Sequence, residues 1–425
     1  MSAGGADVEL FGRNYHKDDE EKAIRHLSTL VQKPLVQDDA EDIRKREESI
    51  MELGNMLAKQ KKINELRTMI ENTRPFLASL GKAKAAKLVR NLLDLCLKID
   101  VDDTAIKVSL CDECIEWARE QNRLFLRQTL EARLVRLYND IEQHAKALAL
   151  ATRLVKELKK LDDKDLIVEV QLEESKACSH LNNLTKARAA LVSARTTANA
   201  IYVPPRLQAA LDMQSGILHA ADERDFKTAF SYFYEAFEGY DSVDDKADAL
   251  RALKYMLLCK IMMDAPDDVQ GILGGKVAVK YADSRDIEAM KAITTAAKKR
   301  SLADFNGAFG SYRLELQMDG VVKKYFESLS DTMLEKDLCR IIEPYSRVQV
   351  DYVASLIKLP QERVEKKLAQ MILDKRFFGI LDQGEGVLMV FEEPSRDGAC
   401  ETAIENVHAM GEVVDALYRR VHSLR

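Results

Sequence analysis

Small and apolar residues recur along the middle of the chain with a long period. Lys146-Ala147-Leu148-Ala149, Lys186-Ala187-Arg188-Ala189 and Lys227-Thr228-Ala229-Phe230 align at spacings of 40 and 41 residues. Each segment follows a short polar turn. Each turn follows a helical stretch containing small residues: Leu134 to Ile141, Leu172 to Leu181 and Leu211 to Ala220. Downstream, Ala151, Val155 and Leu158, then Ala190 and Ala194, then Phe233, Ala236, Phe237 and Tyr240 continue the apolar face. Small residues let paired helices approach, and large ones fill the gap to the next pair. The pattern predicts helical hairpins, with a weaker copy from Leu53-Gly54 to Ile70 and a less regular one from Leu88 to Glu120. Such a hairpin cannot bury its apolar face alone, so neighbours must stack. Proline placement agrees: none lies between Phe76 and Val203, and proline breaks helix interiors. A continuous stack from about Glu41 to about Arg300 is expected, with an irregular α-bundle as the alternative.

The hairpins are tetratricopeptide-like, although their period exceeds the usual value of about 34 residues. From Asp331 the texture changes. Asp331 to Ile342 reads as an amphipathic helix closed by Glu343-Pro344, and Val348 to Ile357 as a second helix. Pro360 suits the start of a third, running to Asp374. Phe377 to Leu381 and Val387 to Phe391 read as strands around the turn signal Asp382-Gln383-Gly384-Glu385-Gly386. Three helices followed by a β-hairpin make a winged helix. Beyond Pro394 one last helix is predicted, about Gly398 to Arg425. Cys400, Val407, Val414 and Val421 fall at one heptad position, and Ala403, Met410, Leu417 and Leu424 fall three residues after them. All eight are apolar, as the seam of a coiled coil or bundle requires. They are the candidate subunit-interface residues.

The expected fold is therefore all-α: a TPR-like right-handed helical-repeat solenoid, then a winged helix, then a C-terminal bundle helix. The expected divisions are a polar N-terminal segment over 1–40, a solenoid over 41–320, the winged helix over 321–394 and the assembly helix over 395–425. Composition supports this. Hydrophobic residues are 46% of the 425 and charged residues 32%, too apolar for general disorder. With only 8 Pro and 18 Gly, a turn-rich all-β fold is disfavoured. No stretch approaches the ~18 consecutive apolar residues of a membrane span, and Met1 to Glu21 lacks an apolar signal core. Secretion and membrane insertion are both disfavoured. Cys96, Cys178, Cys259 and Cys339 sit among apolar residues at helical spacing and read as reduced core cysteines of an intracellular protein.

Candidate chemistry is sparse. Cys111-Asp112-Glu113-Cys114 is a C-x-x-C without the second ligand pair that zinc needs, so both cysteines are expected to face a neighbouring repeat. The seven histidines form neither H-E-x-x-H nor H-x-H. His144, His180 and His219 recur just before the repeat turns, where packing or capping is expected. Gly271 to Lys276 fails the phosphate-loop spacing, with Gln270 at the first glycine position and Val277 where a hydroxyl should follow. No metal, cofactor-binding or catalytic residue is assigned, and no enzyme activity is expected. The winged helix invites a DNA-binding reading, but Asp331 to Pro394 holds 12 acidic and 9 basic residues. Its third helix mixes Glu362, Arg363, Glu365, Lys366 and Lys367, and its turn holds Asp382 and Glu385, which phosphates would repel. The fold is expected to bind protein and not nucleic acid.

Helical repeats running into a winged helix and a terminal helix resemble the architecture of PCI-domain proteins. Specific residues carry the resemblance further: Ile341-Ile342-Glu343-Pro344-Tyr345-Ser346-Arg347-Val348-Gln349, and Met371-Ile372-Leu373-Asp374-Lys375 with Gly379-Ile380-Leu381-Asp382-Gln383-Gly384. Ala187 to Ala200 (ARAALVSARTTANA) and Thr228 to Tyr240 (TAFSYFYEAFEGY) are similar to the proteasome-lid members of that family. The resemblance covers most of the chain beyond about Glu47. It implies that the repeats from about residue 225 form the helical half of a PCI domain, with the winged helix as its other half. It further implies a non-catalytic lid scaffold that supports ubiquitin-dependent degradation and proteasome assembly in cytoplasm and nucleus. Implied partners are the other PCI and MPN lid subunits, the ATPase ring and the α-ring of the 20S core, with no membrane, nucleic acid or cofactor. The nearest alternative is a scaffold like signalosome subunit 2.

Overall fold

The computed structural model describes residues 40–97, 99, 104–222, 225–317, 319–391 and 398–423. The segment expected over 1–40 therefore lies almost entirely outside the described residues, as do Pro394 and Leu424. The chain divides into two compact units between Met256 and Leu257.

The first unit is a run of antiparallel helices: α1 (Ala40–Lys59), α2 (Ile63–Ser79), α3 (Lys82–Leu97), α4 (Thr104–Glu120), α5 (Leu124–Asp140), α6 (His144–Leu161), α7 (Lys164–His180), α8 (Leu184–Ala198), α9 (Pro205–Asp222) and α10 (Phe226–Ser242). Helix α11 (Lys246–Met262) begins in this unit. Pro75 lies within α2 and does not end it. The turns explain the regular length of these helices. Asn122, Glu142, Asp162 and Asn182 adopt left-handed conformations at intervals of 20 residues. At three of them the next amide donates back five residues: Arg123 to Ala118, Gln143 to Tyr138 and Asn183 to Cys178, each at 2.9 Å. This closes off orphan carbonyls at the helix end. The next helix is then started by Asp163, Asn183 or Asp225, whose side chains accept from Leu166, Lys186 and Thr228 amides.

Burial gives the repeat register directly. Ala147, Ala151, Leu154 and Leu158 of α6 correspond to Ala187, Leu191, Ala194 and Ala198 of α8, 40 residues later, and to Ala229, Phe233, Ala236 and Tyr240 of α10, another 42 later; all twelve are buried. On the partner helices, buried Glu131, Gln171 and Asp212 are spaced by 40 and 41. The 41-residue spacing read from the lysines thus holds for α9, while α10 stands one residue further on. Thr228 is therefore not the counterpart of Ala187; Ala229 is.

These polar positions are tied to neighbouring helices. Arg153 of α6 approaches Glu131 of α5 at 3.4 Å, and Gln171 of α7 donates to Ser193 of α8 at 2.9 Å. Arg195 of α8 donates to Ser215 of α9 at 2.9 Å and lies 3.6 Å from Asp212. Hydrogen bonding is incomplete at all three positions: Glu131 Oε2, Gln171 Oε1 and Asp212 Oδ1 are buried and accept no hydrogen bond.

The second unit carries α12 (Asp268–Leu273), a 3₁₀ turn at Ala278–Tyr281, α13 (Arg285–Lys299), α14 (Leu302–Ser311), α15 (Arg313–Gln317) and α16 (Gly320–Ile342). Helix α16 starts earlier than the expected Asp331, because Asp319 caps it through the Val321 amide and no proline interrupts it. Buried Asp337 of α16 accepts from the Leu302 amide at 3.0 Å, which fixes the start of α14. Then follow β1 (Arg347–Gln349), α17 (Val350–Ile357), α18 (Gln361–Leu373), β2 (Phe378–Asp382) and β3 (Val387–Phe391). The sheet order is β1-β3-β2, all antiparallel, with Val348 and Leu381 both opposite Leu388. This is a winged helix with a third strand that the hydrophobic pattern misses. Three residues show no periodicity, and Arg347–Gln349 become a strand only by pairing with β3. The core is Val350, Val353, Val364, Leu368 and Leu388, each fully buried. The last helix is α19 (Gly398–Ser423).

Gly216 of α9 gives the sharpest test of the hairpin packing. A Cβ there would stand 2.6 Å from the Phe233 ring of α10, which itself packs edge-on against Tyr255 at 5.4 Å. Alanine normally stabilises a helix interior by about 1 kcal/mol over glycine. Here overpacking reverses the sign, and Gly216→Ala should destabilise by about 1–3 kcal/mol in chemical denaturation. An unchanged or raised midpoint would show that the hairpin tolerates a wider separation.

Candidate interaction surfaces

Helix α19 is exposed from Gly398 to His422. At the predicted seam, Val407, Met410, Val414, Leu417 and Val421 are between 55% and 69% exposed, and Cys400 and Ala403 are exposed as well. Leu424 lies outside the described residues. The structure therefore brings seven of the eight onto one continuous helix face. It adds a column that the two-position reading omits. Ile404 and Tyr418, one residue after the second heptad position, are 60% and 70% exposed. That column was visible as a third apolar heptad position, broken once by Gly411. Glu401, His408 and Asp415 flank the Ile404–Tyr418 column, and Glu405, Glu412 and Arg419 lie further round on the polar side. Acid at the helix start, with Arg420 and His422 in its last turn, suits the helix dipole.

An open groove of about 580 Å³ crosses the first unit where α4, α5 and α6 meet. Ile115, Leu134, Ala149 and Leu150 supply its apolar lining, and Arg119, Lys146, Arg153, Asp112, Glu116 and Glu131 its charged lining. Burial pushes the Glu131 carboxyl up, against the pull of Arg127 and Arg153. Glu173 of α7 goes the other way. Burial disfavours its charge too, but Lys176 at 2.8 Å and Asn139 at 2.9 Å outweigh that and hold it below the ordinary range.

The residues with chemical potential are used for packing. Cys111 and Cys114 are buried in one core with Cys96, as expected of cysteines facing a neighbouring repeat. Burial raises all three thiols, Cys96 to about 12 and Cys114 to about 11, so none is a thiolate at neutral pH. His144 stacks on His180 with centroids 4.5 Å apart and planes 5° apart, and His219 stacks on Tyr232 at 5.3 Å. These are packing roles at the repeat turns. Gly271 lies inside α12, and Gly274 follows in right-handed helical conformation, so Gly271 to Lys276 forms no phosphate-cradling loop. Among the described residues no cluster of three or more His, Cys, Asp or Glu could hold a metal ion, and no helix is long and apolar enough to cross a membrane. On the winged helix, Lys367 of α18 is paired internally with Glu335 of α16 at 2.8 Å. In the wing, Asp382 accepts from the Gly384 amide at 2.9 Å and Glu385 pairs with Arg347 at 3.0 Å.

Comparison with known proteins agrees with this architecture. Residues 11–141 match the model of the 26S proteasome regulatory subunit RPN6 N-terminal domain, and residues 309–392 match the PCI domain. The chain is 65% identical to the probable 26S proteasome regulatory subunit rpn-6.1 of Caenorhabditis elegans, over 98% of this chain and 94% of that one. It is 47% identical to the 26S proteasome non-ATPase regulatory subunit 11 homolog of Arabidopsis thaliana, over 94% of each chain. It is 45% identical to the probable 26S proteasome regulatory subunit rpn6 of Schizosaccharomyces pombe, over 97% of each.

The histidine stack makes stability depend on pH. Burial first, and then the facing His144, lower the pKa of His180 from its ordinary 6.5, with Arg251 and Lys176 adding to this and Glu142 opposing it. The unfolded chain then binds more protons than the fold below that value, so stability is fully present above it and falls as pH drops. Between about pH 7.5 and about pH 5.5 the wild-type Tm should fall further than that of His180→Gln. Parallel curves for the two proteins would remove the stack from the pH response.

Proposed function

The chain belongs to the Rpn6 family of 26S proteasome regulatory subunits, and on that footing we propose that it is a non-catalytic scaffold of the regulatory-particle lid. In this reading the solenoid reaches from the lid past the ATPase ring to the α-ring of the 20S core, and so supports 26S assembly in cytoplasm and nucleus. The winged helix lies alongside those of other PCI subunits. Helix α19 enters a bundle with equivalent helices through Cys400, Ala403, Val407, Met410, Val414, Leu417, Val421 and Leu424.

One observation carries the assembly role: a helix of 26 residues, about 40 Å long, with an apolar face that is exposed over its described length. Burying a Val or Leu side chain fully contributes about 1.5–3 kcal/mol, so a partner that covers this face gains several such contributions. The stacked hairpins suit a reaching arm, since each touches mainly its neighbours and the array can flex along its length.

Affinity purification of the tagged chain, followed by mass spectrometry, should recover lid subunits, proteasome ATPases and 20S subunits together. Recovery of a deneddylating complex instead would favour the signalosome-like alternative. Val414→Asp places a carboxylate in the middle of the seam, where desolvation is costly. It should abolish incorporation, while circular dichroism and Tm of the isolated chain stay close to wild type because Val414 is 63% exposed there. Normal assembly of this variant would refute the role of α19.

A further inference from the structure

The groove on the first unit has two helical walls and a helical floor. Asp112, Ile115, Glu116 and Arg119 stand at i, i+3, i+4 and i+7 on α4, which is one face of a helix. Lys146, Ala149, Leu150 and Arg153 repeat that spacing on α6. Both helices pack against α5, whose Glu131, Leu134 and Tyr138 form the floor. Because α4 and α6 run parallel, Arg119 and Arg153 stand at one end of the groove, and Asp112 and Lys146 at the other. From Asp112 to Arg119 the wall measures about 10 Å at about 1.5 Å per residue. That is the reach of about three extended residues.

The arginine end contains an unfilled acceptor. Glu131 is 2% exposed. Its Oε1 lies 3.4 Å from Arg153 and 3.9 Å from Arg127. Its Oε2 is buried and accepts no hydrogen bond, although burial normally demands a donor. Arg127, Arg153 and Arg119 already act on this carboxylate, so a further cation would meet net positive charge. A neutral N–H is the donor that fits. Arg119 has no ion-pair partner among the described residues, and Arg153 pairs with Glu131 alone. Both guanidinium groups therefore have N–H donors left for an anion.

An amide N–H beside a carboxylate is what the last residue of a peptide carries. One turn beyond, Arg127 of α5 pairs with Glu157 of α6, and neither lines the groove. A chain continuing that way would have to cross this pair, whereas a chain that ends at the arginines does not. We propose that the groove binds the free C-terminus of a peptide. The terminal carboxylate lies between Arg119 and Arg153, and the last amide N–H donates to Glu131 Oε2. An apolar last side chain packs on Leu134 and Leu150. Upstream, a Lys or Arg of the peptide meets Asp112 and Glu116, which have no ion-pair partner among the described residues. Occupancy does not depend on the assembly role of α19, which belongs to the other unit.

The test titrates the full-length chain into pools of fluorescein-labelled pentapeptides and reads anisotropy. Each peptide ends in Leu, Ile or Phe and carries Lys or Arg at one of the two positions before it. The free-acid pool should saturate in the micromolar range. The same pool capped as C-terminal amides should bind about tenfold more weakly or worse, the scale of one lost charge-assisted contact. Arg119→Ala, at an exposed position, should weaken the free-acid pool about tenfold with unchanged Tm. Asp112→Asn combined with Glu116→Gln should weaken it less. Lys159→Ala, exposed on another face of α6, should bind like wild type. Equal binding of acid and amide pools would make the occupant an internal segment and overturn the C-terminal assignment. Binding unchanged by Arg119→Ala would put the peptide outside this groove. No saturation by about 1 mM would refute the site altogether.

Discussion

A helical hairpin of about 40 residues has no interior of its own, and its apolar face is buried only by the next hairpin. The first unit follows from this constraint. Helices must approach closely, so the contact positions of α6 and α8 are dominated by alanine and leucine. Where α10 uses Phe233, the facing position on α9 shrinks to Gly216, so the combined volume across the contact is conserved. Each element is shaped by its neighbour more than by its own propensity.

The same constraint explains why polar residues are buried along the stack. An all-apolar interface between repeats would allow slippage, since one leucine packs much like another. Glu131, Gln171 and Asp212 stand at corresponding places, and each meets a polar side chain of a neighbouring helix in this register. Burying such groups costs stability, as the raised pKa values of Glu131 and Asp212 indicate. The return is specificity, because a shifted register would strand a buried charge. Glu173 shows the opposite balance, with enough donors around it to favour its ionised form.

Much of this was legible in the sequence, for physical reasons that differ between elements. The hairpins were legible because helix–helix contact demands small residues at fixed spacing. The 42-residue step to α10 was not, because lysines flank the buried positions without being held to them, and Lys227 aligned in their place. The winged helix was legible from its hairpin turn, whose Gly386 takes a left-handed conformation with φ of +66°. Its strand β1 was not, since Arg347–Gln349 owe their conformation to β3. On α19 the two-position seam was evident; the third column was legible too, but the two-position reading passed over it because Gly411 interrupts Ile404 and Tyr418. The groove between α4, α5 and α6 left no sequence signal, because its lining comes from three helices and mixes apolar Ile115 and Leu134 with charged Arg119 and Arg153.

The cysteines have a practical consequence. Five of the seven are buried and Cys339 is partly covered, which leaves Cys400 as the exposed one. It stands at the first turn of α19, on the face that carries Val407 and Val414. A maleimide fluorophore added to the native protein therefore meets one readily accessible sulfur, and that sulfur marks the terminal helix. The chain carries its own labelling position, from which docking of that helix can be followed by anisotropy or energy transfer without engineering a single residue.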